Sequence, residues 1–119
     1  MLLFFIMENI LLKQQRNIWT QREYLLEFDM LGTLEHLFKL ARERKENPVE
    51  GSYTNKLLSD TSLSKAKVIE EIDELIEAVE KNTNKIHEAA DVFYHLTMFL
   101  EANGIKIEEV MGELEKRKK

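Results

Sequence analysis

Cysteine is absent from the 119 residues, so disulfides and thiolate-bound zinc or iron–sulfur centres are excluded. Proline occurs once and glycine four times, which argues against a turn-rich β fold and for helices. No apolar run approaches the roughly 20 residues that a membrane-spanning helix needs. The opening MLLFFIM is short, carries no basic residue and meets Glu8 without a small-residue cleavage site, so it is not read as a signal peptide. Glycine-rich phosphate loops, GxGxxG and a Walker-type lysine motif are missing as well, which leaves a P-loop or dinucleotide site without support. Positive charge is not in excess. The net charge of −5 argues against nonspecific nucleic-acid binding. The expectation is one small, soluble, cytoplasmic domain with a single core and neither membrane nor nucleic acid as partner. An acidic protein can still act on phosphates where metal ions supply the positive charge.

What the chain does have is two acidic clusters. Glu70, Glu71 and Glu74 lie in VIEEIDELIEAVE, and Glu88 and Asp91 lie in HEAADVFYHLTMFL, with thirteen residues between Glu74 and Glu88. That interval is long enough to finish one helix, turn and begin an antiparallel partner. Four or five carboxylates then face one another across a helix pair. Like charges held that close repel unless a cation lies between them.

Residues 1–31 show no single helical stripe, and one or two helices are expected there. Two readings stay open for this stretch: an N-terminal extension packed on the domain or partly disordered, and a start-site artefact with translation beginning at Met30. From Thr33, a candidate N-cap, Leu34, Leu37, Phe38 and Ala41 recur at helical spacing, and Asn47-Pro48 ends the segment. Residues 49–54 read as a loop. A short helical turn follows from Lys56, and Asp60-Thr61-Ser62 breaks it. The next helix is expected from about Ser64 to Asn82 with a core stripe of Val68, Ile72, Leu75, Ile76 and Val79. At about 100° per residue, Glu71 borders that stripe, Glu74 is a step further round and Glu70 lies beyond, while Asp73, Glu77 and Glu80 face solvent. A helix from about Asn84 to Asn103-Gly104 has an apolar surface wide enough to be buried on more than one side. Glu88, Asp91 and His95 form one polar stripe on it. The last helix, about Lys106 to Lys118, packs through Ile107, Val110, Met111 and Leu114.

An i, i+3 pair puts two side chains on one helix face. Two such pairs on facing helices make an all-oxygen site that favours Mg²⁺, with Mn²⁺ as the alternative, over zinc. A di-iron site fits poorly because its Glu-x-x-His motif is lacking. His95 reads as a hydrogen-bonded core residue rather than a ligand, and Tyr94 as packing.

The segments RERKENPVEGSYTNKL, KVIEEIDELIEA and HEAADVFYHL together resemble phosphoribosyl-ATP pyrophosphatase, over about residues 33–119. That family belongs to the all-α nucleoside-triphosphate pyrophosphatase superfamily, with MazG-like proteins and dimeric dUTPases. The resemblance implies an all-α helical bundle built by a homodimer, with residues 32–119 as the domain and 1–31 as an extension. It implies Mg²⁺-dependent cleavage of phosphoribosyl-ATP, or a related nucleotide, to phosphoribosyl-AMP and pyrophosphate in histidine biosynthesis. The superfamily motif falls on Glu71, Glu74, Glu88 and Asp91 as metal ligands, with Glu70, Glu71 and Glu74 as the catalytic carboxylates. Lys67, Lys56 and Arg44 would stabilise phosphate charge, and Ser52 and Thr54 would contact phosphate or ribose or cap the following turn. Two positions depart from the family pattern: Ile69 replaces the glycine usual before the paired glutamates, and the preceding linker, SDTSLSKA, lacks a usual glycine and is about a residue shorter. A MazG-like house-cleaning nucleotide pyrophosphatase and a non-enzymatic helical dimer module are the competing readings.

Overall fold

In the computed structural model, residues 30–118 can be described, with the side chain of Met30 excepted. Among them are five helices and no strand: α1 (Met30–Glu46), α2 (Tyr53–Ser59), α3 (Thr61–Lys81), α4 (Lys85–Ala102) and α5 (Ile107–Lys116). The all-α expectation holds. The chain divides into two units, residues 1–36 and 37–119. The described part of the first is the opening of α1. Thr33 lies inside that helix and does not cap it, because helical residues already precede it. The readings made for residues 1–29 lie outside the described residues.

In the second unit, α3 and α4 form an antiparallel hairpin, and α2 packs on both of them. Leu37, Phe38 and Ala41 of α1, Leu57 and Leu58 of α2, Ala78 of α3 and Met98 of α4 are buried. Asp60 joins α2 to α3 by serving both. Its backbone N–H donates to the Lys56 carbonyl (3.1 Å), and its Oδ1 accepts from the Leu63 N–H (3.0 Å). The break expected over residues 60–62 therefore shrinks to one residue, and α3 begins at Thr61 instead of near Ser64, since a carboxylate at the N-cap satisfies an otherwise orphaned N–H. Asn82 and Asn84 both take left-handed backbone conformations (φ 54° and 51°). Asparagine tolerates that region better than most side chains. The Thr83 N–H closes back on the Ala78 carbonyl at 3.0 Å. Asn84 occupies the N-cap position of α4, but its side chain makes no capping hydrogen bond. At the far end of α4, Gly104 (φ 70°) and the Ile105 N–H to Leu100 carbonyl bond (2.9 Å) stop the helix as expected.

The second unit is tied at its other end by charge. The Arg42 guanidinium donates to both carboxylate oxygens of Glu108 (2.8 and 2.9 Å) and to Glu101 Oε1 (3.2 Å), and Lys45 Nζ donates to the Glu101 carbonyl (2.7 Å). A fork of this kind is among the stronger ion-pair geometries. It holds the Glu108 carboxyl down to about 2.

One expectation about packing is corrected. Of the proposed core stripe on α3, Ile72, Ile76 and Val79 are exposed, as is Ile69, while Val68 and Leu75 are half-buried. The line actually buried is Ser64, Glu71 and Ala78, roughly 120° round the helix from the exposed stripe at 100° per residue. On α4, Ile86, Phe93 and Leu96 are likewise exposed, and on α5, Met111 and Leu114. Periodicity finds the apolar face of a helix, but it does not say what covers it. Here α2 and α4 cover a different face.

Candidate metal centre

Two helices supply the carboxylates. Ligand atoms of Glu71 and Glu74 on α3 and Glu88 on α4 lie within 4.8 Å of one another. A second group with the same spacing, His87, Glu88 and Asp91, shares Glu88 with the first. The hairpin geometry accounts for this: Glu74 and Glu88 both line a hollow of about 230 Å³ beside the turn, together with Ala78 and Thr83.

Burial sets the electrostatics. Glu71 is only 8% exposed, and its Oε2 has no hydrogen-bond partner; Glu88 Oε2 is also buried without one. Loss of hydration pushes the Glu71 carboxyl above its ordinary range, and the neighbouring Glu74 charge adds to this, against a smaller opposite pull from His95. Glu88 is raised for the same two reasons, burial first and Glu74 second. A buried acceptor left unpaired costs about 1–3 kcal/mol, and more when charged. A divalent cation between these oxygens removes both the orphaned acceptors and the repulsion. The donor set, all oxygen at the α3 side, fits a hard cation.

Not every expected residue joins the cluster. Glu70 is exposed and accepts from Lys67 Nζ at 3.1 Å, and this bond raises the lysine's affinity for its proton. The Glu70–Lys67 pair stands outside both carboxylate groups. Asp91 reaches the second group, where its Oδ2 lies 3.4 Å from His87 Nε2. Asp73, Glu77 and Glu80 are exposed, as their helical phase requires.

The loop-side residues are tied to one another. Arg44 Nη1 donates to Ser52 Oγ (3.2 Å), and Ser52 caps α2 by accepting the Asn55 N–H (3.3 Å). Thr54 Oγ1 hydrogen-bonds the Tyr94 hydroxyl. Lys56 is exposed and, with Ser52, Lys45 and Glu50, lines an open cleft of about 950 Å³. That cleft contains none of the four carboxylates.

His95 is buried, and both its ring nitrogens are engaged. Nδ1 lies 2.8 Å from the Asp91 backbone carbonyl, which can only accept, so Nδ1 donates there, and Nε2 hydrogen-bonds the Tyr53 hydroxyl at 3.0 Å. The reading of His95 as a hydrogen-bonded core residue stands. Tyr53 stacks on Tyr94 with ring centroids 6.5 Å apart, and His95 meets both rings edge-on. Two residues escaped the sequence reading. Asn55 holds the loop, with Nδ2 donating to the Arg44 carbonyl (2.7 Å) and Oδ1 accepting the Val49 N–H (2.8 Å). No periodic signal marks it. His87 could have been found, since His-x-x-x-Asp puts both side chains one turn apart on one face.

Comparison with known proteins adds an independent line. Residues 32–118 match the family model for phosphoribosyl-ATP pyrophosphohydrolase. The chain is 41% identical over 96 residues to a phosphoribosyl-ATP pyrophosphatase of Clostridium novyi, which covers 76% of this chain and 86% of that protein. It is 43% identical over 89 residues to the protein of the same name from Clostridium acetobutylicum, covering 71% and 79% respectively. A histidine biosynthesis bifunctional protein HisIE of Pyrococcus furiosus is 41% identical over 92 residues; this match covers 75% of the chain but only 43% of the longer relative. No solved structure matches. With the family model spanning nearly all described residues and relatives above 40% identity, the chain belongs to the phosphoribosyl-ATP pyrophosphohydrolase family.

Proposed function

We propose that the protein hydrolyses phosphoribosyl-ATP to phosphoribosyl-AMP and pyrophosphate, a cytoplasmic step of histidine biosynthesis, and that residues 32–119 carry the activity with residues 1–31 as an extension. Glu71, Glu74, Glu88 and Asp91 hold Mg²⁺. The observation that carries this reading is the pair of buried, unpartnered oxygens on Glu71 and Glu88, in a chain of this family. Bound there, the ion supplies positive charge to phosphate oxygens and makes a nearby water more acidic.

The chain's own residues do the rest. The carboxylates of Glu71 and Glu74 orient the attacking water, and one of them takes its proton as the phosphoanhydride bond between the α and β phosphates breaks. The ammonium of Lys67, with Lys56 and Arg44 at the loop, balances charge on the departing pyrophosphate. Glu70 keeps Lys67 protonated and directed along α3. Ser52 and Thr54 shape the loop that faces the nucleotide.

A second copy of the chain covers the exposed apolar stripes of α3 and α4. Ile69, Ile72, Ile76 and Val79 share one face of α3 and are exposed, as are Ile86 and Phe93 on α4, and an exposed apolar stripe of this kind suits an interaction surface. A homodimer is the simplest occupant, since an isologous interface pairs one such patch with itself.

The deciding experiment is hydrolysis of phosphoribosyl-ATP beside a panel of canonical and modified nucleoside triphosphates, with and without Mg²⁺. Mg²⁺-dependent preference for phosphoribosyl-ATP is expected. Preference for a plain nucleoside triphosphate would replace this reading with the house-cleaning pyrophosphatase. Absence of hydrolysis with every nucleotide would favour a non-enzymatic helical module.

A further inference from the structure

His87 stands one helical turn before Asp91 on α4, and its Nε2 lies 3.4 Å from Asp91 Oδ2. Together with Glu88 these side chains form a compact group whose ligand atoms lie within 4.8 Å of one another. Two donors bound to one ion at about 2.0–2.2 Å each are about 2.8–3.1 Å apart in octahedral and about 3.3–3.6 Å apart in tetrahedral arrangement. The His87–Asp91 spacing of 3.4 Å matches a tetrahedral pair and lies within a few tenths of an ångström of an octahedral one.

An i, i+4 pair on a single helix is a common way to present two ligands from one face. The group does not stand alone. It shares Glu88 with the Glu71–Glu74 cluster, in which Glu71 is more than nine-tenths buried and has an unpartnered Oε2. Glu88 belongs to both groups and its Oε2 is buried without a partner, so an ion bound by Glu88 has the imidazole of His87 within reach. The other histidine on α4, His95, cannot play this part, since both its ring nitrogens are engaged.

From this we infer that His87 is a metal ligand of this chain, adding an imidazole nitrogen to the carboxylates at the α4 side of the centre. The inference rests on the metal reading of the carboxylate cluster given above. Its consequence is selectivity. Nitrogen donors favour the later first-row transition ions such as Co²⁺, whereas Mg²⁺ prefers oxygen and gains little from an imidazole. The protein should then hold Co²⁺ well above Mg²⁺, and the difference should reside in one side chain.

The test uses the full chain loaded with Mn²⁺ or Co²⁺. Electron spin-echo spectroscopy of the Mn²⁺-loaded protein should show coupling to a directly bound ¹⁴N nucleus, and His87→Gln should abolish it. Calorimetric titration should show Co²⁺ affinity falling about tenfold in His87→Gln, with Mg²⁺ affinity changing less than about twofold. Mn²⁺ bound without nitrogen coupling, or coupling that survives in His87→Gln, would overturn the assignment and leave His87–Asp91 as a surface ion pair. Failure of every divalent ion to bind, or binding that Glu71→Gln leaves intact, would instead overturn the metal reading of the cluster itself. Circular dichroism of each variant separates a lost ligand from a lost fold.

Discussion

Neutralising Glu71 should have opposite effects with and without metal. The carboxylate is only 8% exposed and has one oxygen without a partner, beside the charge of Glu74. In chelator, Glu71→Gln removes a buried, unpaired charge, and the amide that replaces it can donate to Glu74. Relief of a charged unsatisfied acceptor is worth at least about 1 kcal/mol. For a domain of this size that amounts to roughly 4–8 °C in Tm. The pH dependence has a definite sign. The folded-state pKa of Glu71 is raised above its unfolded value, so the protonated carboxyl stabilises the fold below the unfolded pKa, and this contribution is lost as pH rises through the folded one. The variant should lack that slope. In Mg²⁺ at about 100 times its Kd, the parent gains about 2.7 kcal/mol by mass action, and the variant gains little. The order of stability therefore inverts between chelator and Mg²⁺. Thermal unfolding followed by circular dichroism, at fixed protein concentration because a dimer is expected, reads both states. A variant less stable than the parent in chelator, or a parent whose Tm ignores Mg²⁺, would refute the argument that an unpaired buried charge awaits a cation.

Arg42→Ala should destabilise the fold, because Glu101 is left buried without its guanidinium partner; urea unfolding measures it. Glu108 is depressed to about 2, so its contribution is present above the unfolded carboxylate pKa and disappears as pH falls from about 4.5 towards 2. Glu108→Gln should flatten the acid limb of stability against pH over that window. Asn55→Ala removes two hydrogen bonds, one from α2 to α1 and one from the loop to α2, and about 1–3 kcal/mol of stability should go with them. KM for the nucleotide should rise more than kcat falls, as steady-state kinetics would show. Ile76→Asp, on the exposed stripe of α3, should turn a dimer into a monomer in sedimentation analysis.

Much of the second unit was legible in the sequence because its signals are local. Asn47-Pro48 and Asn103-Gly104 stop helices by backbone chemistry alone, and both stop them in the structure. The phase of Glu71, Glu74, Glu88 and Asp91 follows from 100° per residue, and the structure gathers three of them with Asp91 adjoining. What stayed hidden depends on partners distant in sequence. Ile72, Ile76 and Val79 look like core because they are apolar and periodic, yet only packing decides which face α2 and α4 cover. Asp60 looks like a breaker until its carboxylate is seen capping the next helix. Asn55 and the Arg42 fork act through partners that no spacing rule connects, with Arg42 and Glu108 lying 66 residues apart.

The turn between α3 and α4 has a consequence for which insertions the chain can bear. Only residues 82–84 leave the helical ladder between Glu74 and Glu88, and Asn82 and Asn84 fix the path there by their left-handed backbones. The turn acts as an indexing pin between two rotating shafts. One added residue would advance α4 by about 100°, swinging Glu88 and Asp91 away from Glu71 while leaving each helix intact. Length changes in the 47–52 loop would leave this setting alone. The interval between the two acidic motifs, more than the identity of any residue within it, is thus the quantity the chemistry cannot spare.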